Sequence, residues 1–180
     1  MIKKLSFSIL AIAITSCQTQ KEHPVTELYN DHAGFCIKAQ IPEGWSDDKE
    51  IRSFLDENFI FQNVKSTQDH ASWMVLQVYE YKSGKPDQFT VDSLLTWHIK
   101  EAQVENKTMN VLSRHTQKQS SGKTTGYFDS IVEWDTNTVA YSRVLIFNQG
   151  KKIAVLSLHS KGNQPSFQKI ANMITASLDY

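Results

Sequence analysis

Between positions 111 and 160 the chain carries four β-prone runs, Val111–Gln119, Thr124–Trp134, Val139–Phe147 and Ile153–Ser160. Short polar segments divide them: Ser120-Ser121-Gly122-Lys123, Asp135-Thr136-Asn137-Thr138 and Asn148-Gln149-Gly150-Lys151. Hairpin-like connections of this length join antiparallel neighbours, so the segment predicts a meander. Whatever else the chain contains must fit around that sheet.

Three strands are expected upstream. Phe35, Ile37, Ala39 and Ile41 alternate with Cys36, Lys38 and Gln40, the period of a strand with one buried face, and Pro42-Glu43-Gly44 turns the chain ahead of Trp45. Residues 46–58 leave two readings open, because Ser46 is placed to cap a short helix through Leu55 while Phe59–Val64 beside it reads as strand. Trp73–Tyr81 is apolar on both faces, which predicts a strand covered on both sides.

Two segments change period. Leu94, Leu95, His98, Ile99 and Ala102 fall at helical spacing, with Thr90 placed to cap and Asp92 in the first turn, predicting a helix over 91–105. Pro165 suits a first helical turn, and Phe167, Ile170, Ala171, Ile174 and Leu178 then line one face of a helix over 165–178. The expected fold class is α+β, a mainly antiparallel sheet of about six strands packed with these two helices.

The first residues read differently. Met1-Ile2-Lys3-Lys4 is basic and Leu5–Ile14 is apolar apart from Ser6 and Ser8, the layout of a signal peptide. That run is too short for a permanent span, which takes about 20 residues as a helix. Its end, Ile14-Thr15-Ser16-Cys17, resembles the bacterial lipobox, with Ile14 where leucine is more usual. The resemblance implies cleavage after residue 16 and acylation of Cys17, so a lipid bilayer is an expected partner. Gln18 follows the cysteine, and by resemblance to lipoprotein sorting its not being aspartate implies the outer membrane. Polar residues 17–33, with Pro24 among them, are expected to form a tether.

Removing residues 1–16 takes away Lys3 and Lys4 and no acidic residue, which moves the formal charge from zero to −2. The remaining chain has no basic footprint for phosphate backbones, so nucleic acid is not an expected partner. With Cys17 lipidated, Cys36 is left alone and forms no internal disulfide. A chain of about 150 residues buries roughly 70% of its unfolded surface without staples, so residues 34–180 are expected to be one domain.

The strand running into Pro42-Glu43-Gly44-Trp45, the middle helix, the meander, and the last helix running into Ser177-Leu178 together resemble the PsbP-like or Mog1-like fold. The resemblance covers about residues 34–178. It implies a binding or assembly module and brings no catalytic residue set.

Chemical motifs are weak throughout. Gly122-Lys123-Thr124 looks like the end of a P-loop, but Gln117 stands where the first glycine belongs and a strand follows in place of a helix. The six histidines, at 23, 32, 70, 98, 115 and 159, include no pair at metal-binding spacing, and no metal or cofactor is expected. His98 lies on the apolar face of its helix and reads as a partly buried structural residue. Asp129 and Glu133 share a strand face at a separation of roughly 13 Å, beyond the reach of paired glycosidase carboxylates, and read as solvated charges. A lysine beside Cys36, Lys38, is the one feature favouring a reactive thiol, with no histidine nearby in sequence as its partner.

What remains is aromatic. Trp45, Trp73, Trp97 and Trp134 mostly suit a core, but Trp97 flanks the apolar face of its helix and is a candidate for contact with a partner. Trp45 is the second candidate. The expected function is a non-enzymatic envelope lipoprotein binding another envelope protein; a small-ligand carrier, or an enzyme whose site forms only in three dimensions, are the alternatives.

Overall fold

A computed structural model describes residues 23–31, 34–52, 59–80, 90–118, 123–133, 138–149 and 151–180. Within them the order is β1 (Val25–Asn30), β2 (Cys36–Gln40), β3 (Ser46–Asp47), α1 (Lys49–Arg52), β4 (Phe61–Ser66) and β5 (Ser72–Glu80). Then follow α2 (Val91–Glu105), β6 (Asn110–Lys118), β7 (Thr124–Glu133), β8 (Val139–Gln149), β9 (Lys152–Ser160) and α3 (Gln164–Ser177). The expected leader, Cys17, Gln18, Trp134 and much of the three connecting segments lie outside the described residues.

The meander is present as expected, and the sheet is wider than the predicted six strands. Seven strands run in the order β3-β4-β5-β9-β8-β7-β6, every described pairing antiparallel. β1 and β2 form a separate hairpin. Alternation along these sheet strands decides which side each side chain faces: Met74, Leu76 and Val78 of β5, Leu145 and Phe147 of β8, and Leu156 and Leu158 of β9 enclose one core with the hairpin and α3. Phe128, Ile146 and Val155 point the other way, beneath Val91, Leu94 and Leu95 of α2.

α2 starts where Thr90 and Asp92 place it, and α3 starts one residue before the expected Pro165, capped by Asn163. Thr90 Oγ1 accepts from the Ser93 amide at 3.1 Å, and Asn163 Oδ1 accepts from the Ser166 amide at 2.9 Å. α2 comes down close on β7 because position 126 is glycine: a Cβ there would meet Leu95 Cδ1 and Val91 Cγ1 at 2.5 Å. α3 is tied to the hairpin at its far end, where the Gln40 amide donates to Ser177 Oγ at 2.8 Å and Lys38 bridges Asp179.

Two expectations need correction. Residues 25–30 of the predicted tether are a strand, and Leu28 and Tyr29 are buried in the first core. The register shifts between Glu27 and Tyr29, and a bulge puts neighbouring residues on one side, so β1 lacks the alternation by which a strand is recognised. The folded part therefore starts before Gly34. Ser46 belongs to β3 and caps nothing; Asp48 starts α1 instead, accepting from the Glu50 amide at 2.9 Å. The rest of the helix expected through Leu55 lies outside the described residues.

Candidate functional site

Helical geometry turns Val91, Leu94 and Leu95 inward and so fixes what faces out. Trp97 is 55% exposed and Val104 75% exposed. Seven positions apart, two turns of helix, they lie on one outward stripe of α2. The neighbouring His98 ring meets Trp97 edge-on at 4.7 Å, and burial lowers its pKa to about 4, which leaves it neutral near pH 7. His98 is thus a neutral histidine set edge-on against the indole, and its partly buried structural place matches its position on the apolar face. Arg114 of β6 braces the helix start, donating from Nη2 to Asp92 Oδ1 at 2.5 Å and to Thr96 Oγ1 at 3.0 Å.

Trp45 sits on the other side of the molecule. Gly44 has φ +87°, a conformation that favours glycine, and with the Trp45 amide donating to the Pro42 carbonyl at 3.4 Å it makes the turn that presents the ring. The ring is half-buried against the hairpin core. Beside it opens a cleft of about 380 Å³ lined by Pro24, Thr26, Ile41, Pro42, Trp45 and Lys65 among others. Lys65 Nζ is held by Asp47 Oδ1 at 2.6 Å on the rim. The two tryptophans singled out from sequence are therefore not brought together: they lie on opposite faces of the seven-stranded sheet.

The acid–base candidates resolve into structure. Asp129 is not a solvated charge, for its side chain is 13% exposed and clasped by Arg143, 4% exposed, with Nε to Oδ1 at 2.6 Å and Nη2 to Oδ2 at 2.9 Å. The guanidinium spends its other donor on Asn172 Oδ1 and Thr175 Oγ1 of α3 and covers the Tyr127 ring at 4.5 Å. Ser113 adds a third bond to Asp129 at 3.0 Å. Glu133 is exposed and takes no part in this arrangement. Sequence reasoning missed Arg143, although a lone cation among Tyr141, Leu145 and Phe147 on one strand face is the signal of a buried partner.

Ser66, Asp48 and His70 also converge, in the wrong order for nucleophilic catalysis. His70 Nδ1 and Ser66 Oγ both reach Asp48 Oδ2, at 2.8 and 2.5 Å, and the serine lies 3.5 Å from His70 Nδ1, so its short bond is to the carboxylate and not to the imidazole. His159 stacks on Trp73 at 5.1 Å, bonds Ser142 Oγ through Nδ1 at 2.9 Å, and is driven by burial to a pKa of about 4. His115 stacks on Tyr127 at 4.8 Å and faces the opposite side of the sheet from His159. Burial first, and then the adjacent Glu27, raise the Cys36 thiol pKa against the pull of Lys38. Lys123 lies 4.9 Å over the Tyr180 ring and Thr124 begins β7, as a hairpin end does and a phosphate loop does not. No group of three metal-ligating side chains occurs among the described residues.

No protein-family model matches the chain. No curated protein matches it in sequence. Its fold is nevertheless shared with solved structures. Cyanobacterial PsbP from Synechocystis superposes with a TM-score of 0.61 at 12% identity, covering 92% of this chain and 98% of that one. The Saccharomyces cerevisiae Ran-binding protein Mog1p gives 0.53 at 13% identity, covering 87% and 94%. A Pseudomonas aeruginosa protein of unknown function gives 0.52 at 11%, covering 88% and 97%. The chain has the PsbP/Mog1-like fold that its motifs suggested, and at such identities the likeness speaks of fold alone.

Proposed function

We propose that this chain is a lipoprotein of the bacterial envelope whose PsbP/Mog1-like domain works by binding another envelope protein and not by turnover. The observation that carries the reading is the outward stripe of α2, where a tryptophan 55% exposed stands on a helix otherwise fixed by its buried side. An indole in water offers a large, rigid contact surface that a partner can bury. Mog1p, of the same fold, is by name a Ran-binding protein, which supports a protein as the partner class. Acylation of Cys17 and placement at the outer membrane rest on the leader and on Gln18.

The experiment is in-cell crosslinking of the tagged lipoprotein with and without Trp97→Ala. A specific partner captured by the native chain and lost from the variant is the expected result; equal capture by both removes α2 as the contact. Labelled fatty acid should enter the native protein and not Cys17→Ser, and equal labelling would refute the anchor. Recovery with inner-membrane markers on density fractionation would refute the outer-membrane placement.

A further inference from the structure

The start of the described chain and the Trp45 cleft are at one end of the domain. Pro24 and Thr26 line the cleft; Val25 between them opens β1, 63% exposed, and by strand alternation its side chain stands on the hairpin's outer side, next to the cleft and not in it. Val25 is only eight Cα–Cα steps from Cys17, a fully extended reach of about 28 Å and, for a flexible segment, a typical span of about 16 Å. A domain of about 150 residues is roughly 40 Å across. An acyl group on Cys17 therefore keeps this end, and not the opposite one, next to the lipid headgroups.

Resting on the lipoprotein reading above, we infer that the Pro24–Trp45 cleft is a membrane-seating surface, with Val25 and Trp45 entering the headgroup zone of the bilayer that holds the anchor. Tryptophan suits that zone because its ring is apolar at one end and carries a donor at the other. A half-buried indole on the rim, an exposed valine and two prolines offer apolar contact at low conformational cost. Charge offers little attraction to anionic lipid: Lys65 is already paired with Asp47, Glu43 on the same lining is acidic, and the chain without its expected leader is formally −2. The contact is accordingly with a zwitterionic headgroup layer and depends little on anionic lipid or salt. Seating there leaves α2, on the opposite sheet face, directed away from the surface and open to a protein.

The test uses the intact lipoprotein reconstituted into phosphatidylethanolamine vesicles doped with a phospholipid carrying a photoreactive headgroup. After illumination, mass spectrometry locates the adducts and reads the mass on Cys17. Adducts concentrated on peptides from 23–45, several-fold over those from α2, are expected. Val25→Glu, at an exposed position that the fold does not need, should reduce them several-fold, and Trp45→Phe less, with circular dichroism unchanged in both. Adducts spread evenly, adducts concentrated on α2, or adducts in the cleft undiminished by Val25→Glu overturn the seating while an acylated Cys17 leaves the lipoprotein reading standing. A Cys17 without acyl mass overturns both. A cleft occupied by a small molecule or by a second protein would show as lipid adducts elsewhere.

Discussion

The two faces of the seven-stranded sheet are covered by unequal means. On one, the β1–β2 hairpin and α3 together seal a core so completely that a guanidinium and a carboxylate are taken into its margin, Arg143 with Asp129. On the other, α2 lies across β6, β7 and β8. A face closed by two elements spends its side chains on closure; a face roofed by a single helix leaves that helix an outer side, and here the outer side carries Trp97 and Val104. Thickness of cover separates the part that holds the fold from the part free to meet something else.

The largest expected effect lies on the sealed face. Asp129→Ala strands Arg143 without its partner and should cost about 3–5 kcal/mol in denaturant unfolding, the range for breaking a buried ion pair. A loss below about 1 kcal/mol would mean that water reaches the pair and the contrast between faces fails.

Acid should act on the α2 side instead. His98 and His159 both serve that side, and both have pKa values lowered from 6.5 to about 4. In the unfolded chain they take up protons as pH falls through 6.5, while in the folded chain they stay neutral until about 4. The unfolded state binds more protons across that window, so stability must decline as pH is lowered through it. His159→Gln should flatten the slope, as followed by urea midpoints at several pH values; an unchanged slope would assign it to other groups.

Close packing of α2 on β7 predicts a smaller loss. Gly126→Ala drives a methyl into Leu95 and Val91, and overpacking of this kind costs about 1–3 kcal/mol. The shift should show in thermal unfolding with the fold retained. Smallest of all is the stability effect of Trp97→Ala, within about 0.5 kcal/mol as for other exposed positions, whereas partner capture should weaken by about 2 kcal/mol. A Trp97 variant that unfolds would put the indole in the core and erase the distinction.

Legibility in the sequence followed periodicity. α2 was visible to its ends because Thr90, Asp92 and the inward stripe agree, and the same wheel that buries Leu95 puts Trp97 outside. β1 was hidden because its bulge sets Leu28 and Tyr29 side by side. Asp129 could be placed on a strand but not beside Arg143, since their pairing depends on the register between β7 and β8, which neither strand's own pattern specifies. The Trp45 cleft had no linear signal, because Lys65 reaches it from a strand twenty residues away.

β1 also decides how the domain responds to a pull from its N-terminal side. Val25 and Gln40 are register partners at the open end of the hairpin, so tension applied ahead of Val25 peels the two strands apart rung by rung, and does not shear them all at once. The peeling meets Leu28 and Tyr29 within a few rungs, and beyond them the ion pair between Lys152 and Asp31 fastens the turn to β9. β2 stays behind, held by Ser177 and Asp179. The hairpin is thereby a short mechanical fuse: it yields a few residues of slack under load while the sheet, and the helix on its far side, keep their shape.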